Sequence, residues 1–261
     1  MSLQPVKRKQ KSKEEHLINQ INSESFMKSM QLFSTLALIG AVCCSSCKET
    51  SIAQETVILI DVTDTAIQQF DTTGVNNVSI MDDSPLNGET TKVVIISDVA
   101  VNKHFEASIP IVTSQLFSNT KSRKKMVTEY LSKLNTMIGN VTEQDKGKDA
   151  SVIYKRIAEE LNILTKKHAI KKTMIINSDL MEKSFINFYK ESVLELMVTN
   201  PDSLSNKLTG KYPLKDLTGI EIFILFQPND VEESERFEVV STFYQNLFES
   251  HGATVHIQSN I

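Results

Sequence analysis

The stretch "ETVILIDVTDTAIQQF", residues 55 to 70, decides how the chain is read. An apolar run, Val57 to Ile60, ends at Asp61, and Thr63 and Thr65 follow at alternate positions. A continuous apolar run marks a strand covered on both faces, as in a parallel sheet. The D-x-T-x-T pattern leaving it puts three oxygen donors in one loop, where alternate spacing lets them face a single point. Hard oxygens of this kind suit Mg²⁺, which takes near-octahedral geometry and keeps several waters. The competing reading makes Asp61 the cap of a following turn and the threonines ordinary strand or turn residues.

Outward from this strand, "KVVIISDVAV" (92 to 101) and "HFEASIPI" (104 to 111) flank "NK" and read as a hairpin, with Asp98 a hairpin residue. Two amphipathic helices follow. Val127, Tyr130, Leu131, Leu134, Met137 and Ile138 stripe the segment 122 to 140, and Ile153, Ile157, Leu161 and Leu164 stripe 150 to 167. "KTMIINSDL" (172 to 180) is a second buried strand running to Asp179, and "GIEIFILF" (219 to 226) a third. Residues 185 to 210 are helical in part and broken at "NPDS". Asp230 with Glu233 three residues later opens a final helix, Gly252 stands where it would end, and "TVHIQS" (254 to 259) closes as a strand. This alternation predicts an α/β fold: a mostly parallel central sheet with one antiparallel edge strand and helices on both faces. Ligands bind such sheets beyond the carboxyl ends of the strands, where Asp61 and Asp179 both fall. The acidic "MDDSP" at 81 to 85 reads as a loop, with too few regularly spaced ligands for calcium.

The 261 residues are 40% hydrophobic with a formal net charge of -4, so nothing in the overall balance points to nucleic acid. The basic run "VKRKQKSK" at 6 to 13 lacks aromatics and reads as a solvated tail. All three cysteines, Cys43, Cys44 and Cys47, lie before residue 48, so no disulfide staples residues 48 to 261. From Met27 the sequence reads "MKSMQLFSTLALIGAVCCSSCKET": a lysine, an apolar run from Leu32 to Val42, then small residues and cysteines. That run is shorter than the roughly 20 residues a membrane span takes and matches the core of an export signal.

The segment resembles a bacterial lipoprotein signal, which is cut before a cysteine that receives lipid. Ser45 and Ser46 precede Cys47, which makes Cys47 the expected attachment site. Residues 1 to 47 are then a polar extension and signal, with Met27 the expected start. Residues 48 to 55 form a tether, and 56 to 261 the folded domain. The resemblance implies a lipid-anchored protein of the cell envelope, and Lys48 after the cysteine favours the outer membrane.

The D-x-T-x-T motif, the order of elements and Asp179 together resemble the von Willebrand factor type A domain over residues 56 to 260. That family carries a metal-ion-dependent adhesion site, here implied to be Asp61, Thr63 and Thr65, with Asp179 supporting Mg²⁺ from the loop after the fourth strand. The family's further threonine falls on Lys148 in "DKGKDASVIYKR", leaving Asp149 or Ser151 to supply an oxygen or to cap the helix. The implied role is protein binding, with a partner's carboxylate filling an open position on the metal. A metal-free scaffold of an envelope complex is the alternative.

Catalytic signatures are missing. A strand ending in aspartate also opens haloacid-dehalogenase-type phosphatases, but their second acid would fall on Thr63, and Asp64 is one residue off, on the wrong face. The five histidines show no ligand spacing, His256 reads as structural, and no Gly-x-Ser-x-Gly or phosphate-cradling loop occurs. The expectation is a binding module and not an enzyme.

Overall fold

The computed structural model describes residues 51–62, 79, 84, 86–96, 104–112, 120–142 and 152–259. Thr63, Thr65, Asp98, Lys148, Asp149, Ser151 and Cys47 lie outside the described residues, as do the "NK" turn and all of "MDDSP" except Ser84.

Six strands form one sheet: β1 (Ala53–Asp61), β2 (Gly88–Ile96), β3 (His104–Ile109), β4 (Lys171–Asn177), β5 (Ile220–Leu225) and β6 (Thr254–Gln258). Their order is β3-β2-β1-β4-β5-β6, and every pairing is parallel except that of β2 with the edge strand β3. The α/β architecture read from the sequence is the one observed. β1 starts at Ala53 and so takes in residues expected to be tether. β2 begins at Gly88, four residues before its expected start, because the polar "GETT" pairs with the first half of β1. Gly88 is required there: a Cβ would come within 2.5 Å of the Ile111 nitrogen where the chain returns from β3.

Helix α1 (Thr120–Thr142) covers one sheet face, burying Tyr130, Leu134, Met137, Ile138 and Val141 against Ile58, Ile60, Val93, Ile95 and Ile175. The opposite face receives α2 (Ile153–Leu164), α3 (Glu191–Thr199), α4 (Pro201–Lys211) and α5 (Val231–Glu249) over Val57, Leu59, Val94, Met174, Ile176, Ile222 and Ile224. Because adjacent strand residues face opposite ways, an unbroken apolar run such as Val57–Ile60 feeds both cores. Each side chain so buried contributes about 1.5–3 kcal/mol. α3 and α4 are separated at Asn200, whose side chain accepts from the Ser203 N–H, with Pro201 starting the next helix. Asp230 accepts from the Glu233 N–H at 2.8 Å and so caps α5, while Gly252 (φ 96°) turns the chain out of it. His256 stacks on Phe223 at 4.8 Å, a packing role.

Glu160 and Glu89 are among the carboxylates buried between these layers. Glu160 of α2 takes both its bonds from Lys92 of β2, at 2.7 and 2.9 Å, tying helix to sheet. Glu89, on the α1 face, is held by hydroxyls: Ser79 donates at 2.6 Å, with Thr91 and Thr56 at 3.4 and 3.5 Å. Burial pushes its carboxyl above the ordinary 4.5, and the hydroxyls of Ser79, Tyr130, Thr91 and Thr56 offset only part of that. The folded state therefore holds this proton at a pH where the unfolded chain has lost it. Stability contributed here rises as pH falls toward 4.5 and is lost as pH rises through the folded value. Chemical denaturation of wild type and Glu89→Gln from pH 7.5 to 4.5 should show wild type gaining on the variant as pH falls. A gap independent of pH, or one moving the other way, would contradict a buried, reluctant carboxylate.

Candidate functional site

At the carboxyl edge of the sheet, β1 and β4 run side by side with Ile60 opposite Asn177, so Asp61 and Ser178 come level as the two strands end. Asp61 is only 1% exposed, and its Oδ2 accepts from the Ser178 hydroxyl at 2.8 Å. The same Ser178 oxygen accepts from the Leu180 N–H at 2.9 Å, and Asp179 Oδ1 from the Met181 N–H at 2.9 Å. These two side-chain turns fold "NSDL" tightly enough to hold Leu180 at φ 63°, the left-handed region that a leucine enters at a cost of about 1 kcal/mol or more. Asp179 lies two residues beyond the end of β4, in this turn and not on the strand that the sequence pattern predicts.

The next acid, Glu182, is fully buried and lies across the start of α2. Its Oε2 accepts from the Ile153 and Tyr154 N–H groups at 2.8 and 2.7 Å, and its Oε1 accepts from the Ser184 hydroxyl. Sequence reasoning assigns the α2 cap to Asp149 or Ser151. The helix instead begins after Val152, which offers no side-chain cap, and the orphan N–H groups are satisfied from 29 residues away. Burial, with a smaller contribution from the Asp61 charge, raises the Glu182 carboxyl above its ordinary value, while Ser184 and the two N–H groups pull it down.

Beneath this cluster, Tyr154 and Tyr244 pack at 6.3 Å. The Tyr154 hydroxyl donates to the Tyr212 carbonyl at 2.9 Å, whereas the fully buried Tyr244 hydroxyl has no hydrogen-bond partner among the described residues. Burial first, then the charges of Glu182 and Asp179, push the Tyr244 phenol well above 10. Between the turn after β4 and the start of α5 lies a cleft of about 90 Å³, lined by Asp179, Met181, Tyr189, Phe226, Glu233, Arg236 and Phe237.

The arrangement brings Asp61 to Ser178 of the "NSD" turn. Asp61, Ser178 and Asp179 carry hard oxygen atoms, the donor type that a divalent cation such as Mg²⁺ takes. Among the described residues no three His, Cys, Asp or Glu side chains form a metal cluster, so a complete ligand set needs Thr63, Thr65 or Ser151. Ser178 and Glu182 were missed by sequence reasoning. Ser178 had a signal, being a hydroxyl directly before the aspartate at a strand end; Glu182 had none, because its partners are backbone groups far along the chain.

No protein-family model matches the chain, and no curated protein does. Among solved structures it is similar to the PilB minor pilin from Streptococcus sanguinis. An aspartate-to-alanine mutant of that pilin aligns at TM-score 0.41 with 10% identity, and the unmutated pilin at 0.37 with 11%. Both alignments cover 83% of this chain and 59% of the pilin, and neither carries function to this chain. Among the described residues no helix is long and apolar enough to cross a membrane.

The two tyrosines provide a paired test of the buried polar groups. Tyr154→Phe removes a bonded hydroxyl and should cost about 0.5–1.5 kcal/mol in denaturant unfolding, while Tyr244→Phe, which removes an orphan, should cost nothing or stabilise. Equal losses in both would contradict the unpartnered hydroxyl.

Proposed function

We propose that this chain is an envelope protein, lipid-anchored through Cys47 with the outer membrane favoured, whose α/β domain is of the von Willebrand factor A type and binds another protein. The observation that supports this is the meeting of Asp61 with the Ser178–Asp179 turn at the carboxyl edge of a sheet ordered β3-β2-β1-β4-β5-β6. That edge is where open α/β sheets bind their ligands. The residues that would hold Mg²⁺ are Asp61, Thr63, Thr65 and Ser151, with Asp179 in support. When bound, the ion supplies an open position for a partner's carboxylate.

The chain's own contribution is to fix these groups in place. Ser178 restrains the Asp61 carboxylate, the paired side-chain turns fix Asp179, and Glu182 locks the start of α2 to the same loop. The reading is of a binding module with no catalytic step, and a metal-free envelope scaffold is its alternative.

Thermal unfolding of the purified chain with and without Mg²⁺ separates the two. At a hundredfold excess over its dissociation constant, the ion should add about 2.7 kcal/mol to stability. Asp61→Asn, which keeps the shape of the side chain, should fold and lose that gain. Equal behaviour of wild type and variant, whether both shift or neither does, would exclude the metal-dependent reading.

A further inference from the structure

We propose that the loop leading into β4 rests on a surface of anionic lipid, with Ile170 entering the headgroup layer and the lysines around it meeting phosphates. The proposal deepens the envelope reading above and rests on it for the membrane's presence, not for the loop's affinity.

Residues 163 to 172 read "ILTKKHAIKK": four lysines and a histidine with no acid, in a chain whose formal net charge is -4. The stretch runs from the last turn of α2 into β4, at the amino edge of the sheet and away from Asp61. Lys166, Lys167 and His168 are exposed; Ile170 stands 74% exposed beside them and Ile163 42%. Isolated exposed isoleucines are ordinary. Two within one basic loop have the composition of an interfacial surface, where aliphatic groups enter the headgroup boundary while ammonium groups stay with the phosphates.

The acids of this edge do not cancel its lysines. Glu55, at the start of β1, takes Lys167 at 3.3 Å. Lys172 donates to the neutral Thr165 carbonyl at 3.4 Å, and Lys166 has no carboxylate partner among the described residues. Entering β5, Lys215 stands beside Asp216, whose carboxylate accepts from the Thr218 N–H and hydroxyl at 2.9 and 2.6 Å, and Glu221 is half-buried in the strand. Glu89, at the start of β2, is 2% exposed and out of reach of a surface. A soluble polyanion would engage the lysines and leave Ile170 in water, whereas a lipid surface accommodates both.

The loop also lies where an anchor would bring it. The Ile170 N–H donates to the Ala53 carbonyl at 3.1 Å, which fixes the loop against the start of β1. Ala53 is six residues beyond Cys47, a length that spans at most about 20 Å. A lipid on Cys47 would keep this edge within that distance of the bilayer.

The chain contains no tryptophan, so Ile170→Trp in the full chain makes a single fluorescent reporter. Its emission should move to shorter wavelength on vesicles of mixed phosphatidylcholine and phosphatidylglycerol but not on phosphatidylcholine alone, and about 1 M salt, where the screening length is about 3 Å, should reverse the shift. Adding Lys166→Gln should lower the ratio of docked to undocked loop about fivefold, the worth of one basic residue at an anionic surface. Val231→Trp is the matched control, because Val231 is 73% exposed at the start of α5, on the carboxyl edge, and should show no shift. Intact mass reports separately whether Cys47 carries lipid. An unlipidated chain whose reporter still shifts removes the anchor and leaves the loop's affinity standing; a lipidated chain that sediments with the vesicles without a shift does the reverse. Equal shifts on phosphatidylcholine alone or in Val231→Trp, indifference to Lys166→Gln, or a shift reproduced by inorganic polyphosphate without vesicles would each overturn the proposal.

Discussion

The hydrogen bond from Ser178 to Asp61 is the constraint on which the rest of this carboxyl edge depends. A carboxylate 1% exposed at the end of a central strand is costly unless hydrogen bonds compensate for its lost hydration. Ser178 supplies one from the adjacent strand's end, 117 residues later, and the same oxygen takes the Leu180 N–H. One hydroxyl thereby joins the end of β1 to the turn that carries Asp179 and the left-handed Leu180.

From that turn the influence passes to α2. Glu182 reaches the first N–H groups of the helix, so hydrogen bonds tie the helix start to the loop after β4, and that loop to the end of β1. Leaving two buried N–H groups unsatisfied would cost about 1–3 kcal/mol each, which offsets the desolvation of the fully buried Glu182. The edge thus holds strain at Leu180, an orphan hydroxyl at Tyr244 and a concentration of negative charge. Stability alone does not call for these features, and they tend to gather where a protein binds something.

Much of the fold was legible in the sequence because it rests on periodicity. Val57–Ile60, Met174–Ile176 and Ile222–Leu225 read as buried strands, and the stripes of α1 and α2 face the sheet as their spacing requires. The Asp230 cap was legible because it is local. The misses have a common physical origin in long-range pairing: β2 extends back to Gly88 because β1 offers it partners, and β1 reaches back into the expected tether for the same reason. At the site, the proximity of Asp61 to the "NSD" turn followed from two parallel strands ending together. Glu182 could not be foreseen, since nothing local in "LMEKS" marks it as the cap of a helix 29 residues upstream. Thr63, Thr65 and Ser151 were named by motif alone and lie outside the described residues.

A double-mutant cycle on Asp61→Asn and Ser178→Ala, read by denaturant unfolding, measures the founding interaction directly. A hydrogen bond to a buried carboxylate predicts a coupling of about 1.5–3 kcal/mol, with the double variant losing less than the sum of the singles. Additive losses would mean that the two side chains do not support each other and that the carboxyl edge is not organised around Asp61.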